Sequence, residues 1–238
     1  MVNNMDDAFK KLIKGELHDI FMGEKPRPTV KWHHYFPVYE HHLKRFKDKA
    51  PTLVEIGVAG GGSLHIWRKY FGPDARIIGV DINEKCKNLE KDGFEIIIGD
   101  QSDPKFLKKL AEAVKGADII IDDGGHTSEQ NIRTFEFLYP VLKDYGVYIA
   151  EDLHTAIWPR YVDRVDGSTF LDTARAIADR LTWWHITPNN ARYKTNPKER
   201  TGEVEVPYIT RNTWSVSFYD SMVAFEKRPI PEPWNDRR

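Results

Sequence analysis

From Pro51 to Asp152 the chain repeats one alternation: a short run that is almost wholly apolar, a polar turn, then an amphipathic stretch. The apolar runs are "TLVEIG", "ARIIGVD", "FEIIIGD", "ADIIID" and "GVYIAED". A strand with one face in water alternates apolar with polar residues. These runs do not, so both of their faces are buried. Strands buried on both sides and separated by helices define a parallel sheet with helices on each face. The intervening segments carry helix signals. "GSLHIWRKYF" puts Leu64, Trp67 and Phe71 on one face. "NEKCKNLEKDG" has Asn83 as its N-cap candidate and Gly93 at its end. "DPKFLKKLAEAVKG" has Pro104 at its first helical position, and "TSEQNIRTFEFLYPVL" reads as a further helix.

Outside this core the pattern changes. Residues 1–50 read as amphipathic helices broken at "GEKPRP", and "KWHHYFPVYEHHLKRF" is crowded with aromatics and histidines; this segment is expected to pack on the core. Residues 51–238 read as the main domain, with a lid or insertion over about 153–205. Within it "LHTAIWPRYVDRVDG" reads as a long loop, "STFLDTARAIADRLTWW" as a helix capped near Ser168, and "NNARYKTNPKERTGEVE" as a polar, exposed insertion. "TWSVSFYDSMVAFEKR" alternates in two runs joined near Asp220 and Ser221, an antiparallel hairpin, and "PIPEPWNDRR" reads as an extended tail. The predicted fold class is therefore α/β: a doubly wound, Rossmann-like, mostly parallel sheet finished by a C-terminal antiparallel hairpin. That is the plan of a class I methyltransferase. A dinucleotide dehydrogenase usually continues with a sixth parallel strand.

Composition narrows the partners. The 238 residues suffice for one large α/β domain, and a formal charge of −1 argues against a nucleic-acid footprint. Cys86 is the single cysteine, which excludes an intramolecular disulfide and a Cys-rich zinc site. No run approaches the roughly 20 apolar residues that span a bilayer, and the first residues lack a signal-peptide core. A cytoplasmic protein without a membrane partner is expected, and the amphipathic N-terminal segment makes a homodimer plausible.

Two constellations carry chemistry. In "VEIGVAGGGSLHIW" a strand runs through Gly57, Gly60, Gly61 and Gly62 into a helix opened by Ser63. The spacing is neither G-x-G-x-x-G nor a P-loop, so no phosphate pattern is present. Asp81 ends the next strand, 24 residues after Gly57, where an acidic side chain accepts bonds from ribose hydroxyls; its competing use is to cap the following helix. Asp100 and Gln101 in "GDQSD" are placed to reach an adenine edge, with helix capping by Ser102 or Asp103 as the alternative. A glycine loop without a phosphate pattern, plus a ribose acid, suits S-adenosylmethionine. Glu55 points from the first strand toward the same crevice, where it is placed to hold the methionine amino group. The second constellation is "IDDGGH" followed by "IAED". If the fourth and fifth strands are neighbours, about 4.8 Å apart, then Asp122, Asp123, Glu151, Asp152 and His126 crowd one crevice. Such crowding is unfavourable without a cation, and oxygen ligands favour a hard ion such as Mg²⁺. Helix capping is the competing role for any one of these carboxylates.

"VEIGVAGGGSLHIWRKYF", "GVDI", "GDQSD", "IDDGGH" and "IAEDLHTAIWP" together resemble the macrocin- and mycinamicin-type sugar O-methyltransferases, over about Lys31 to Pro159. The resemblance implies an S-adenosylmethionine- and Mg²⁺-dependent enzyme acting on a sugar hydroxyl of a glycosylated natural product or saccharide. It implies that Asp123, Glu151 and Asp152 bind the metal and that His126 is the general base. It also places Glu55, Gly57, Gly61, Ser63, Asp81, Asp100 and Gln101 around the cofactor. Gly125 stands where Ser is commoner in the motif, and the large N-terminal auxiliary domain of some macrolide enzymes has no counterpart. Residues 1–50 and 153–205 match too poorly to name the sugar.

The residues suit that chemistry independently. A sugar hydroxyl is a poor nucleophile; metal binding lowers its pKa, and an imidazole removes the proton during in-line attack. His154 is a candidate assistant. Trp158, Tyr161 and Phe170 are candidates for stacking on a sugar, with core packing as the alternative. Tyr35 and Tyr39 are candidates for covering the cofactor, and "WPRYVDRVDGSTF" for a lid. His33, His34, His41 and His42 read better as helix residues than as a metal site. The rival activities are methylation of a catechol or phenol and non-haem iron hydroxylation. The latter ordinarily needs two histidines beside one carboxylate.

Overall fold

The computed structural model describes residues 2–24, 26–186 and 204–235. The N-terminal segment forms α1 (Val2–Ile13), α2 (Glu16–Met22) and α3 (Tyr35–Leu43). The core follows as β1 (Thr52–Ile56), α4 (Gly62–Phe71), β2 (Arg76–Asp81), β3 (Glu95–Ile98), α5 (Pro104–Ala113), β4 (Ile119–Asp122), α6 (Ser128–Leu138) and β5 (Val147–Ala150). It is completed by α7 (Phe170–Arg180), α8 (Tyr208–Asn212), β6 (Thr213–Tyr219) and β7 (Met222–Lys227). The seven strands order as β3-β2-β1-β4-β5-β7-β6, with β7 antiparallel to both of its neighbours. Strand order reverses between β1 and β4, so the carboxyl ends of these strands open the crevice where ligands bind in such sheets.

The uniform apolarity of the strands has its reason in two cores. Successive side chains point to opposite faces. Leu53, Ile119, Ile121, Val147 and Ile149 enter the core formed with α2, α3 and α4. Val54, Ile56, Ile120, Tyr148 and Ala150 enter the core formed with α5, α6 and α7. The N-terminal helices, together with α4, are thus one of the two layers that bury the sheet.

Local signals account for most element ends. Asn83 Oδ1 accepts from the Lys85 amide, and Gly93 closes that segment in the left-handed conformation. The segment is nevertheless a 3₁₀ helix over Glu84–Asp92, not an α-helix. Its buried side chains are Cys86 and Leu89, three residues apart, which matches the three-residue 3₁₀ turn. α7 is capped by Thr169 rather than Ser168, because Asp172 completes a capping box with Thr169 while Ser168 bonds Asp166 and Arg164. The expected loop after Asp152 contains two 3₁₀ turns, Leu153–Ile157 and Pro159–Tyr161. Of Asn189–Glu205, read as an exposed insertion, all but Val204 and Glu205 lie outside the described residues. No described helix is long and apolar enough to cross a membrane.

One polar clamp ties the N-terminal layer to the C-terminal hairpin. Buried His42 on α3 lies 2.6 Å from Glu226 Oε1 on β7 and 3.0 Å from the Tyr219 hydroxyl, and Arg45 adds bonds to both Glu226 oxygens. Burial pulls the Glu226 carboxyl upward, but the bonds from His42 and Arg45 outweigh it and hold the group below its ordinary value of 4.5. A carboxyl depressed in the folded state contributes stability above its unfolded value and loses it as pH falls through the folded one. Unfolding free energy measured against pH should therefore drop below about pH 4.5, and Glu226→Gln should flatten that drop.

Candidate active site

Parallel pairing builds the site. Ile56 on β1 is in register with Asp122 on β4, and Asp122 with Ala150 on β5, so Asp123 and Glu151 leave adjacent strands at the same level. Alternation then separates the carboxylates. Glu55, Asp123 and Glu151 fall on the face covered by the N-terminal helices, and Asp122 falls on the other. The expected crowding of Asp122 with the rest does not occur. Asp122 is fully buried and accepts bonds from Gln101 Nε2 (3.1 Å), Asn131 Nδ2 (3.1 Å) and the Tyr148 hydroxyl (2.9 Å). Glu55 takes its place in the cluster.

At the centre of that cluster is a group which the sequence motifs did not reveal. The Lys31 ammonium donates to Asp123 Oδ2 (2.6 Å) and Glu151 Oε2 (2.8 Å) and lies 3.6 Å from Glu55 Oε1. Two tyrosines from α3 reach the same centre. The Tyr39 hydroxyl donates to Glu151 Oε1 (2.6 Å), and the Tyr35 hydroxyl to Asp152 Oδ1 (2.6 Å). Lys31, Tyr35 and Tyr39 recur every fourth residue, a spacing visible in the sequence. Burial opposes the ammonium, but Asp123, Glu151 and Glu55 outweigh it and hold Lys31 protonated. Burial, with Asp123 adding to it, pushes the Glu151 carboxyl up to about 8 against Lys31 and Tyr39. Burial raises Glu55 as well. In both, burial is the leading cause and Lys31 opposes it.

The outer side of the cluster is a ligand set. One oxygen each from Asp123 and Asp152 and one nitrogen of His126 lie within 4.8 Å of one another. His126 Nε2 is 3.9 Å from Asp123 Oδ1 and 3.7 Å from Asp152 Oδ2. His126 and Asp152 both adopt positive φ, +58° and +53°, unusual for residues with side chains and a form of strain that clusters at functional sites. Glu151 has one bond on each oxygen, so it reaches an ion only through a remaining lone pair.

The crevice beside this centre has a volume of about 390 Å³ and is lined by Gly57, Asp81, Asp100, Gln101, Asp123 and His126 among others. Two glycines set its floor. A Cβ on Gly57, at φ +84°, would sit 2.0 Å from the Asp123 carbonyl oxygen, and one on Gly124 would sit 1.9 Å from Gln101 Oε1. The glycine loop and the "DDGGH" turn are therefore pressed together backbone to backbone. Asp81 Oδ2 accepts from the amides of Val58 and Ala59, and Oδ1 from that of Asn83, so it braces the loop while lining the cavity. Asp100 Oδ1 accepts from the Ser102 amide and hydroxyl. The Gln101 amide donates to Asp122 and Thr134, and its oxygen accepts from the Gly125 amide, which fixes the "DDGGH" turn. Ser63, behind Gly61, spends its hydroxyl on Glu55 Oε2, where Trp67 Nε1 also donates. Glu55 Oε1 is buried without a hydrogen-bond partner.

Near the acidic centre, His154 packs edge-on between Trp32 and Trp158, both substantially exposed, and its Nδ1 is 3.2 Å from Ser221 Oγ. Phe170 belongs to the core instead. The segment from Trp158 to Phe170 is pinned to the start of α6, where Asp163 accepts from the Glu129 amide and Arg164 pairs with the Glu129 carboxylate. Of the early histidines, His33 contacts His18 and His42 forms the clamp to Glu226.

The sheet order and the crevice define the fold of a class I methyltransferase. No family model matches the chain. Among curated proteins it is 36% identical over 209 residues to the 8-demethyl-8-alpha-L-rhamnosyl tetracenomycin-C 2'-O-methyltransferase of Streptomyces olivaceus, covering 83% of this chain and 52% of that protein. It is 32% identical over 178 residues to the demethylmacrocin O-methyltransferase of Streptomyces fradiae, covering 69% of this chain and 45% of that protein. Among solved structures, the MycE methyltransferase of the mycinamycin pathway, in complex with Mg, SAH and mycinamycin VI, superposes with a TM-score of 0.73 at 26% identity over 94% of this chain and 56% of that one. Over most of its length the chain is similar to the macrocin- and mycinamicin-type sugar O-methyltransferases, and it spans about half the length of the curated relatives that it matches.

The split between the adjacent aspartates is testable. Asp122→Ala leaves three buried donors short of an acceptor and should cost about 2–4 kcal/mol, read from the urea midpoint at unchanged slope. Asp123→Ala should cost markedly less, because Lys31 keeps Glu151 and one repelling carboxylate is removed.

Proposed function

We propose that this chain transfers the methyl group of S-adenosylmethionine to a sugar hydroxyl of a glycosylated natural product or saccharide, with Mg²⁺ bound at the acidic centre. The observation that carries the reading is the imidazole of His126 set between Asp123 and Asp152 at the mouth of the glycine-loop crevice. Relatives over most of the chain bear the names of enzymes that methylate sugars.

The carboxylates fit a hard divalent ion: they are oxygen donors in a centre with more negative than positive charge, and the His126 imidazole beside them is left for the proton. Asp123 and Asp152 would hold the ion directly, with Glu151 as the third carboxylate. When bound, the ion supplies Lewis acidity that lowers the pKa of an acceptor hydroxyl. The chain's own residues do the rest. Gly57 and Gly61 would let the cofactor approach the backbone; Asp81 would accept a ribose hydroxyl on the remaining lone pair of Oδ1, and Asp100 and Gln101 would bound the adenine end. Glu55, held by Ser63 and Trp67 with Oε1 3.6 Å from the Lys31 ammonium, would take the methionine amino group on that oxygen. His126 Nε2 accepts the hydroxyl proton as the oxygen attacks the methyl carbon. When bound, S-adenosylmethionine would supply a leaving group that is a neutral thioether, so the chain's residues need provide no general acid. Holding oxygen and methyl in line supplies much of the remaining rate. Trp32 and Trp158 offer aromatic faces to the acceptor. A set with one histidine and two carboxylates does not match the two-histidine triad of an iron hydroxylase.

The test is transfer of labelled methyl from S-adenosylmethionine to a panel of glycosides and phenols under oxygen-free conditions. Glycosides should be labelled, EDTA should abolish transfer and Mg²⁺ should restore it; transfer to phenols alone, or full activity in excess EDTA, contradicts the proposal. His126→Ala should lower turnover by about 10²–10⁴ when chemistry limits the rate, with affinity for S-adenosylhomocysteine retained. Turnover within a few-fold of the native protein would remove His126 as the base.

A further inference from the structure

The transfer reaction as proposed gives no part to Lys31. This residue lies outside the methyltransferase core, in the stretch between α2 and α3, yet its side chain is only 4% exposed. Its ammonium makes two short bonds to carboxylates from two different strands, and a third carboxylate, from β1, stands 3.6 Å away. Tyr35 and Tyr39 also donate to the cluster, but they bring no charge.

We propose that Lys31 is the resident counter-ion of the acidic centre: a positioning residue whose fixed charge holds Glu55, Asp123 and Glu151 together in the metal-free protein and limits the centre to a single divalent ion. It rests on the proposed function for the ion itself. The charges support it. Counted with every carboxylate ionised, as binding of a divalent ion requires, Glu55, Asp123, Glu151 and Asp152 against Lys31 leave three negative charges. One divalent ion removes two. S-adenosylmethionine, with its sulfonium and ammonium against one carboxylate, carries a net positive charge and removes the third. With Lys31 in place the loaded centre is neutral with one metal ion. Without it, the centre needs another cation or a proton.

Geometry agrees with a permanent occupant. The ammonium sits on the inner side, against Glu55 and Glu151, while the imidazole and Asp152 lie on the outer side. Asp123 serves both, with Oδ2 bonded to Lys31 and Oδ1 turned toward His126. Lys31 therefore leaves one oxygen of Asp123 to an ion while fixing the other. Removing one partner of a buried ion pair leaves an uncompensated charge, which is strongly destabilising.

The experiment uses Mn²⁺ as the probe, titrated by calorimetry and electron paramagnetic resonance, together with thermal unfolding of the metal-free protein. The native chain should bind one Mn²⁺. Lys31→Met should unfold at a lower temperature without metal and should bind Mn²⁺ roughly tenfold or more tightly, since a nearby positive charge is gone. The double variant Lys31→Met with Glu55→Gln restores the native charge count. It should return both metal-free stability and Mn²⁺ affinity toward native values. A merely structural lysine would make the double variant worse than either single one. Mn²⁺ affinity in Lys31→Met that is unchanged or weaker overturns the proposal, as does a double variant less stable than Lys31→Met. Should Lys31→Met not fold without metal, the double variant must still fold and bind Mn²⁺ within about threefold of the native chain; if it does not, the proposal fails. If the native chain takes up no Mn²⁺, the metal in the proposed function falls, and the metal-free stabilities alone decide on Lys31.

Discussion

Parallel pairing of β1, β4 and β5 forces three carboxylates to the same end and the same face of the sheet, and the Lys31 ammonium makes that arrangement tolerable. Two like charges about 5 Å apart at an effective dielectric constant near 20 repel by about 3 kcal/mol. Three such groups would not stay ionised together at a buried strand end. The chain resolves this from outside its core: the stretch from Lys31 to Tyr39 supplies one cation and two hydroxyls to Asp123, Glu151 and Asp152. The N-terminal layer is therefore half of the site and, together with α4, one of the two layers that bury the sheet.

What remains uncompensated defines the chemistry. On the inner side Lys31 and Tyr39 bond both oxygens of Glu151. The outer side, where His126 faces Asp123 and Asp152, has donors set close together and two backbones in the left-handed region. Strain and unspent charge coincide there, beside the crevice lined by the glycine loop and Asp81. A methyl donor that carries positive charge and an acceptor hydroxyl that must lose a proton both suit such a place.

The sheet was legible because its strands are buried on both faces, so "IIID" and "VYIA" read as strands without reference to the rest of the chain. The hairpin was legible from its two alternating runs. The cap at Asn83 was legible from residue type at the right offset, and of Ser102 and Asp103, both offered for capping, Asp103 takes that role. Asp122 was misplaced because adjacency in sequence suggests adjacency in space, whereas in a strand it means opposite faces. Gln101 and Ser63 were read as facing the cofactor, and the structure gives their polar atoms internal bonds as well; one sequence does not reveal which of a polar group's partners is protein. Lys31 was the least legible residue of all. Its partners lie 92 and 120 residues away, and a single lysine among aromatics carries no motif. Only its four-residue spacing from Tyr35 and Tyr39 hinted that the three act together.

The most direct measurement is calorimetric titration with S-adenosylhomocysteine and, separately, with NAD. The crevice lacks a phosphate-binding pattern and offers Asp81 to a ribose, so the native chain should bind S-adenosylhomocysteine and ignore NAD. Asp81→Ala should weaken that binding by roughly tenfold or more, given about 1.5–3 kcal/mol for a hydrogen bond to a charged acceptor. A chain that binds NAD and not S-adenosylhomocysteine, or one in which Asp81→Ala binds as tightly as the native protein, would contradict the reading of the crevice on which the methyltransferase mechanism stands.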